Sequence, residues 1–182
     1  MENINFLDIS YLERGNNRQK IAYHIIKRNF IFEKLRKYDP VLVGTIPINI
    51  DIFNSDLDIL CCWNNKQEFI IDITRYFENE DNFKIYTTKI RNEDTVIASF
   101  SLDESDIEIF GQKVPVEQQF GYRHMIVEYN LIKEKGEEFR KEIVRLKKVG
   151  YKTEPAFAKL LDLEGDPYIE LLKYESKDFI TG

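Results

Sequence analysis

Two aspartates one residue apart, Asp56 and Asp58, lie in the run Ser55-Asp56-Leu57-Asp58-Ile59-Leu60. Alternate side chains of an extended strand share a face, so both carboxylates point one way while Leu57 and Ile59 point the other. Two acids side by side repel each other, and a fold gains from the pairing only when a cation sits between them. A hard divalent ion such as Mg2+ takes carboxylate oxygens and keeps positions open for water and phosphate. Upstream, the apolar run Val41-Leu42-Val43 ends in Gly44-Thr45. Glycine lets a backbone approach a ligand closely, and threonine offers a hydroxyl and an amide to phosphate oxygens. Metal-assisted chemistry on a phosphate is the reaction class these residue types serve.

Such a constellation needs a scaffold. Ile21, Ala22, Ile25, Phe32 and Leu35 form one stripe and predict a helix over 18–37, capped by Asn17 and stopped at Asp39-Pro40. A strand at 41–45 follows, then a connection at 46–54 that is rich in isoleucine and has no helical period, then the acid-bearing strand at 56–62. Ile70, Ile73 and Phe77 predict a helix over 66–78. Residues 83–90 and 95–102 alternate and are rich in β-branched and aromatic types, which predicts two strands joined through Arg91-Asn92-Glu93-Asp94. A third strand is expected at 106–110 and a short edge strand at 114–116, where Pro115 is tolerated.

From Gln118 the pattern turns helical. Tyr122, Met125, Ile126, Tyr129 and Ile132 make a stripe, Gly136 separates a second helix over 137–149, and Gly150 suits its C-terminal cap. Thr153 opens another helix through Leu161, and Asp166-Pro167 opens a last short one. The expected architecture is α+β: a mixed or antiparallel sheet of about five strands with flanking helices, followed by a C-terminal helical bundle. Residues 1–118 are expected to form the α/β core and 119–182 a helical subdomain packed on it, with a change of layer rather than a linker between them.

A strand ending in Gly-Thr, followed at a short distance by acid-apolar-acid-apolar, resembles the signature of the nucleotidyltransferase superfamily, which includes polymerase-beta-like and aminoglycoside-type enzymes. The resemblance implies a third acid on a later strand between apolar residues, and Ile107-Glu108-Ile109 fits. Over nearly its whole length the chain also resembles a bacterial domain family of unassigned function. The segments GTIPINID at 44–51, SDLDI at 55–59, EIFGQ at 108–112, YRHM at 122–125 and KTEPAFAKLL at 152–161 carry that likeness.

What the superfamily resemblance implies is two-metal phosphoryl transfer, with Asp56, Asp58 and Glu108 as catalytic residues and metal ligands and two Mg2+ ions between them. One ion would grip the triphosphate; the other would lower the pKa of an attacking hydroxyl, whose proton Glu108 could take. Asp106 shares a strand face with Glu108 and competes for the third place, but Glu108 has apolar neighbours on both sides. Asp51 reads as a solvated loop acid. The superfamily often has serine where this chain has Thr45; the hydroxyl survives the change.

Other polar residues admit two readings. Gly44 and Thr45 are expected to contact phosphate. Arg123, with a planar fork suited to phosphate or carboxylate, is expected to help bind the nucleotide or to form a salt bridge at the layer boundary. His124 beside it and His24 read as structural. Lys152, Glu154 and Lys159 either line an acceptor cleft or lock a helix to the sheet. Residues 140–148 read as a solvated basic helix face, with Glu137 pairing Lys141.

Composition sets the limits. Hydrophobic residues at 43% and charged residues at 32% of a 182-residue chain describe a globular protein able to bury a core. A net charge of -6 disfavours bulk DNA or RNA coating. No apolar run reaches a membrane span, and Met1-Glu2-Asn3 lacks a signal-peptide start, so a cytoplasmic location is expected. Cys61 and Cys62 are neighbours that rarely bridge, and with His24 and His124 they lack zinc-site spacing.

The expected function is Mg2+-dependent transfer of a nucleoside monophosphate from a nucleoside triphosphate to a hydroxyl on an unknown acceptor: a small molecule, an RNA end or a protein. The alternative is a catalytically inactive nucleotidyltransferase-fold protein acting as a binding or regulatory partner of toxin–antitoxin type. Metal-dependent phosphate-ester hydrolysis is a third option.

Overall fold

Alternation along the strands decides which side of the sheet meets which helices. The structure, a computed structural model, describes residues 4–175; residues 176–182 of the expected helical region lie outside them. In chain order, α1 (Ser10–Glu13), α2 (Asn17–Arg28) and α3 (Ile31–Leu35) lead to β1 (Val41–Val43) and β2 (Leu57–Cys62). Next come α4 (Lys66–Phe77), β3 (Asp81–Ile90), β4 (Glu93–Leu102) and β5 (Ser105–Gln112). The chain continues through α5 (Phe120–Lys135), α6 (Glu137–Lys148), α7 (Thr153–Leu160) and α8 (Pro167–Glu170). The five strands form one mixed sheet in the order β1-β2-β5-β4-β3, in which β2 and β5 run parallel and every other pair antiparallel.

Leu57, Ile59 and Cys61 of β2, Ile107 and Ile109 of β5, and Val96, Ala98 and Phe100 of β4 face one core with Ile26, Leu35, Phe69, Ile73 and Phe77 of the preceding helices. The opposite face presents Val41, Val43 and Leu60 to Met125, Val127, Leu131, Ile143, Leu146 and Phe157 of α5, α6 and α7. Asp58 belongs to this second face with Leu60, because successive strand residues alternate. Gly121 of α5 faces this side of the sheet: a Cβ there would lie 3.5 Å from a Leu60 methyl and 3.8 Å from Val43, ordinary packing contacts. Cys61 and Cys62 are both free thiols. No helix among the described residues is long and apolar enough to cross a membrane.

Several boundaries differ from those the sequence predicts. The helix expected over 18–37 breaks at Phe30, which is left-handed at φ 54°. The Asn29 side chain donates to the Ile25 carbonyl at 3.0 Å, closing the helix end in place of a further turn. The break re-aims the chain so that Ile31 and Leu35 are both fully buried. The N-cap is Asn16 rather than Asn17, and Gln19 completes a capping box with it.

The β3–β4 hairpin turns on Arg91 and Asn92 alone, both at positive φ (53° and 69°), so Glu93 and Asp94 belong to β4. The edge strand expected at 114–116 is absent, and a 3-10 turn occupies Val116–Gln118. Gln119 Nε2 donates to Cys61 O at 3.0 Å and Val114 O at 2.8 Å, satisfying backbone acceptors that a further strand would otherwise have served.

Candidate active site

The two acids of β2 and the acid of β5 meet because those strands are parallel neighbours in register. Asp58 pairs with Glu108 on one side and with Val43 on the other, so the end of β1, Asp58 and Glu108 form one row across the sheet. Asp56 precedes β2 by one residue and is exposed, whereas Asp58 and Glu108 are half-buried. One carboxylate oxygen from each of Asp56, Asp58 and Glu108 lies within 4.8 Å of the others. Asp106 stands outside this group, accepting from Ser101 Oγ at 2.7 Å.

The electrostatics follow from that crowding. Burial, then the charges of Asp56 and Glu108, push the Asp58 carboxyl up to about 7, against the opposing pull of Lys147. Burial and Asp56 raise Glu108 as well. The donor set fits a hard divalent cation: all three ligands are carboxylate oxygens, close enough to share ions about 2.1 Å from each ligand after small side-chain shifts. A cation there would relieve the repulsion that raises these pKa values.

Gly44 and Thr45 leave β1 beside the acids. Gly44 has φ +80°, and a Cβ on it would run into Asp58 Oδ2, with Asp58 Cγ at 3.4 Å. Thr45 Oγ1 donates to Ser55 Oγ at 3.3 Å, and that oxygen accepts from Ile52 N at 3.0 Å. The Arg18 guanidinium donates to Ser55 O at 2.6 Å. Gln19 Nε2 donates to both Ile46 O and Pro47 O at 3.0 Å. The isoleucine-rich connection is therefore a packed loop, with Ile46, Ile48 and Ile50 all buried, and it ties the Gly44-Thr45 backbone to the acid strand.

A cavity of about 480 Å³ opens beside Gly44, Thr45 and Asp58 and runs between the sheet and α5. Leu60 and Phe110 line its sheet side; Phe120, Met125 and Glu128 line its helical side. A second cleft, of about 250 Å³, lies across the acids and is bordered by Asp56, Glu108, Lys84 and Ser99. The acid trio therefore separates two recesses.

Arg123 does not join the site residues. Its Nε and Nη2 donate to the two carboxylate oxygens of Glu175 at 2.9 and 2.6 Å, a salt bridge within the C-terminal helical region rather than one at the layer boundary. His124 is buried with Nε2 2.8 Å from Tyr168 O, and His24 is exposed on α2. Glu154 reaches the larger cavity; Lys152 and Lys159 are exposed. On α6, Glu137 pairs Arg140 and Glu138 pairs Lys141, in place of the expected Glu137–Lys141 pair.

Two residues escaped sequence reasoning. Lys147 lies on the helix read as a solvated basic face, yet it is only 7% exposed. Burial pulls its ammonium down to about 8, while Glu128, Asp51, Glu154 and Asp58 hold it up. Glu128 sits in the middle of α5 and is 3% exposed. The stripe that the sequence predicts, Tyr122, Met125, Ile126, Tyr129 and Ile132, leaves Glu128 out, whereas α5 buries His124, Met125, Val127, Glu128 and Leu131.

No curated protein matches the sequence. Among solved structures, the chain resembles the Cid1 poly(U) polymerase bound to Mg 3′-dATP, with a TM-score of 0.53, 8% identity and 76% of this chain covered. It also resembles the GLD-2/RNP-8 complex, with a TM-score of 0.53, 11% identity and 84% covered. The match spans 45% of the first of those chains and 61% of the second, less than two thirds of either. The shared feature is the polymerase-beta-like nucleotidyltransferase fold, as the sequence motif led one to expect. A family model matches residues 24–174, and by that match the chain belongs to the family described as a domain of unknown function, DUF4269.

Proposed function

We propose that this protein is a Mg2+-dependent nucleotidyltransferase, moving a nucleoside monophosphate from a nucleoside triphosphate to a hydroxyl acceptor. The observation that carries the reading is the convergence of Asp56, Asp58 and Glu108 within 4.8 Å, beside the glycine that the Asp58 carboxylate requires. Asp56, Asp58 and Glu108 would hold two Mg2+ ions, which supply charge neutralisation at the transferring phosphate and a lowered pKa for the attacking hydroxyl.

The chain's own groups divide the remaining work. The Gly44-Thr45 backbone and the Thr45 hydroxyl receive phosphate oxygens on the cavity side of Asp58. Lys147, a buried cation within electrostatic reach of Asp58, supplies positive charge on that side. Glu108 faces the smaller cleft, where the acceptor hydroxyl enters. The hydroxyl oxygen bonds to the α-phosphorus as its proton passes to Glu108, and the bond from that phosphorus to the bridging oxygen breaks to release pyrophosphate.

The test uses the full chain with Mg2+ and each α-labelled triphosphate, following pyrophosphate release and label on RNA, protein and small hydroxyl acceptors. Asp58→Asn is expected to reduce transfer by at least about a hundredfold. If triphosphates raise the melting temperature in a Mg2+-dependent way but no acceptor is labelled, a binding protein without turnover replaces this reading.

A further inference from the structure

Three polar side chains on the wall of the larger cavity are buried. Gln119 spends its amide N–H groups on Cys61 O and Val114 O, and His124 is held by Tyr168 O. The third, Glu128, is 3% exposed, and burial, followed by the charge of Glu154, raises its carboxyl well above its usual range. A carboxyl kept neutral in this way donates as well as accepts, so it suits an amino group and a carbonyl oxygen alike. None of the three demands a particular base edge.

Phe120 and Arg91 offer a ring face instead. Phe120 opens α5, is half-buried and lines the same cavity. Its ring is held from within the helix: the His124 ring centre lies 5.9 Å away, and the Arg123 guanidinium, fixed by Glu175, lies 5.3 Å from the Phe120 ring centre. Arg91 comes from the tip of the β3–β4 hairpin and also lines the cavity, with its guanidinium over the Phe120 ring at 4.2 Å from the centre. Arg91 is exposed, and among the described residues it has no hydrogen bond and no acidic partner. The aromatic ring is fixed, whereas the cation over it is free to leave.

We propose that Phe120 and Arg91 hold the base of the bound nucleoside triphosphate by its two faces. The base displaces the guanidinium from the Phe120 ring and is covered by it, so ring area sets the preference and purine triphosphates bind more tightly than pyrimidine ones. This rests on the nucleotidyltransferase reading above and adds how the nucleotide is chosen. Gly44, Thr45 and Asp58 line the same cavity, whose volume of about 480 Å³ falls within the range of ligand pockets, so a triphosphate held at the acids places its base within reach of Phe120. An exposed cation–π contact is weak, whereas a base stacked on an aromatic ring and capped by a guanidinium gains on both faces. A long, exposed arginine makes that shift by rotamer changes alone. Every base has a π-face, so all four are accepted, and the larger purine ring system stacks more strongly.

Calorimetry on the full chain in Mg2+ compares non-hydrolysable analogues of the four nucleoside triphosphates with ribose 5-triphosphate, a probe without a base. Both purine analogues are expected to bind about threefold or more tightly than both pyrimidine analogues. Phe120→Leu is expected to weaken all four by about tenfold while leaving ribose 5-triphosphate within about twofold, and Phe120→Trp, which keeps a π-face, to retain all four within about threefold. Should Phe120→Leu fail to fold, Arg91→Asn carries the same test from an exposed position, because asparagine tolerates the left-handed turn. It is expected to weaken the four analogues about threefold and to leave the baseless probe unchanged. Equal losses for the analogues and the baseless probe would make the Arg91–Phe120 contact a structural clasp of the hairpin and overturn this inference. Pyrimidine analogues binding as tightly as purine ones would overturn it as well, and in either case the nucleotidyltransferase reading stands. Failure of every analogue and of ribose 5-triphosphate to bind overturns both.

Discussion

The Asp58 carboxylate occupies the space that a side chain on Gly44 would fill. The two residues lie diagonally across the β1–β2 pair, next to the Val43–Asp58 register, and Gly44 holds φ +80° there. Gly44→Ala is expected to cost roughly 1–2 kcal/mol for the left-handed backbone and, beyond that, to displace the carboxylate. The prediction is a lower melting temperature together with at least about tenfold weaker Mg2+-dependent triphosphate binding. Wild-type binding by a destabilised variant would mean that the position of Asp58 does not depend on this contact.

The same crowding separates stability from function. In the metal-free protein at pH 8 the ionised Asp58 is half-buried against two other carboxylates, which is why its pKa is driven up to about 7. Asp58→Asn keeps the shape and removes the charge, so it is expected to stabilise the metal-free protein by on the order of 1–3 kcal/mol while abolishing transfer. Saturating Mg2+ is expected to reverse the order of the two melting temperatures, since only the wild type gains a bound cation. Thermal melts with and without Mg2+ check this directly. A variant less stable than the wild type without metal would contradict it.

How much of this was legible in the sequence depended on whether the signal was local. Asp56, Asp58 and Gly44-Thr45 announce themselves by spacing within one short stretch. Glu108 could be proposed from its apolar neighbours and a resemblance, but its register opposite Asp58 arises from a parallel pairing with α4, β3 and β4 intervening in the chain. Lys147 and Glu128 were missed because charge predicts exposure on average, whereas burial is decided by which helix face the sheet covers. Arg123 was visible as a cation, but its partner Glu175 is remote in sequence. The Phe30 break was hidden because the stripe continues on both sides of it and propensity alone does not register a side chain closing a helix end.

Gln19 shows how a residue outside the acid trio can set the geometry of the backbone that follows Gly44-Thr45. It is 8% exposed, caps α2 through Asn16, and holds the two carbonyls that follow Thr45. Gln19→Leu removes both donors and leaves buried acceptors, a loss of roughly 1–3 kcal/mol. Because the loosened segment carries Thr45, triphosphate affinity is expected to fall more than the turnover of the bound complex. A KM rise with kcat held within about threefold supports this positioning role, whereas a loss confined to melting temperature would make Gln19 a structural cap only.

Lys147 gives a pH dependence whose sign follows from its environment. Its folded pKa is pulled down to about 8 by burial, below the ordinary 10.5 of the unfolded chain. Between those values the unfolded state binds more protons, so this group's contribution to stability rises as pH rises from about 8 to 10.5. The ceiling on that gain is roughly 3 kcal/mol. Tyrosines and cysteines with raised pKa values pull the opposite way over part of this range, so the informative quantity is the difference between the wild type and Lys147→Met. The stability of the methionine variant relative to the wild type is expected to be greatest near pH 7, where the buried ammonium is still charged, and to shrink as pH climbs toward 10. Denaturant unfolding at a series of pH values measures it. A difference independent of pH would place the Lys147 ammonium in water, and with it remove the buried cation assigned to the phosphate side of Asp58.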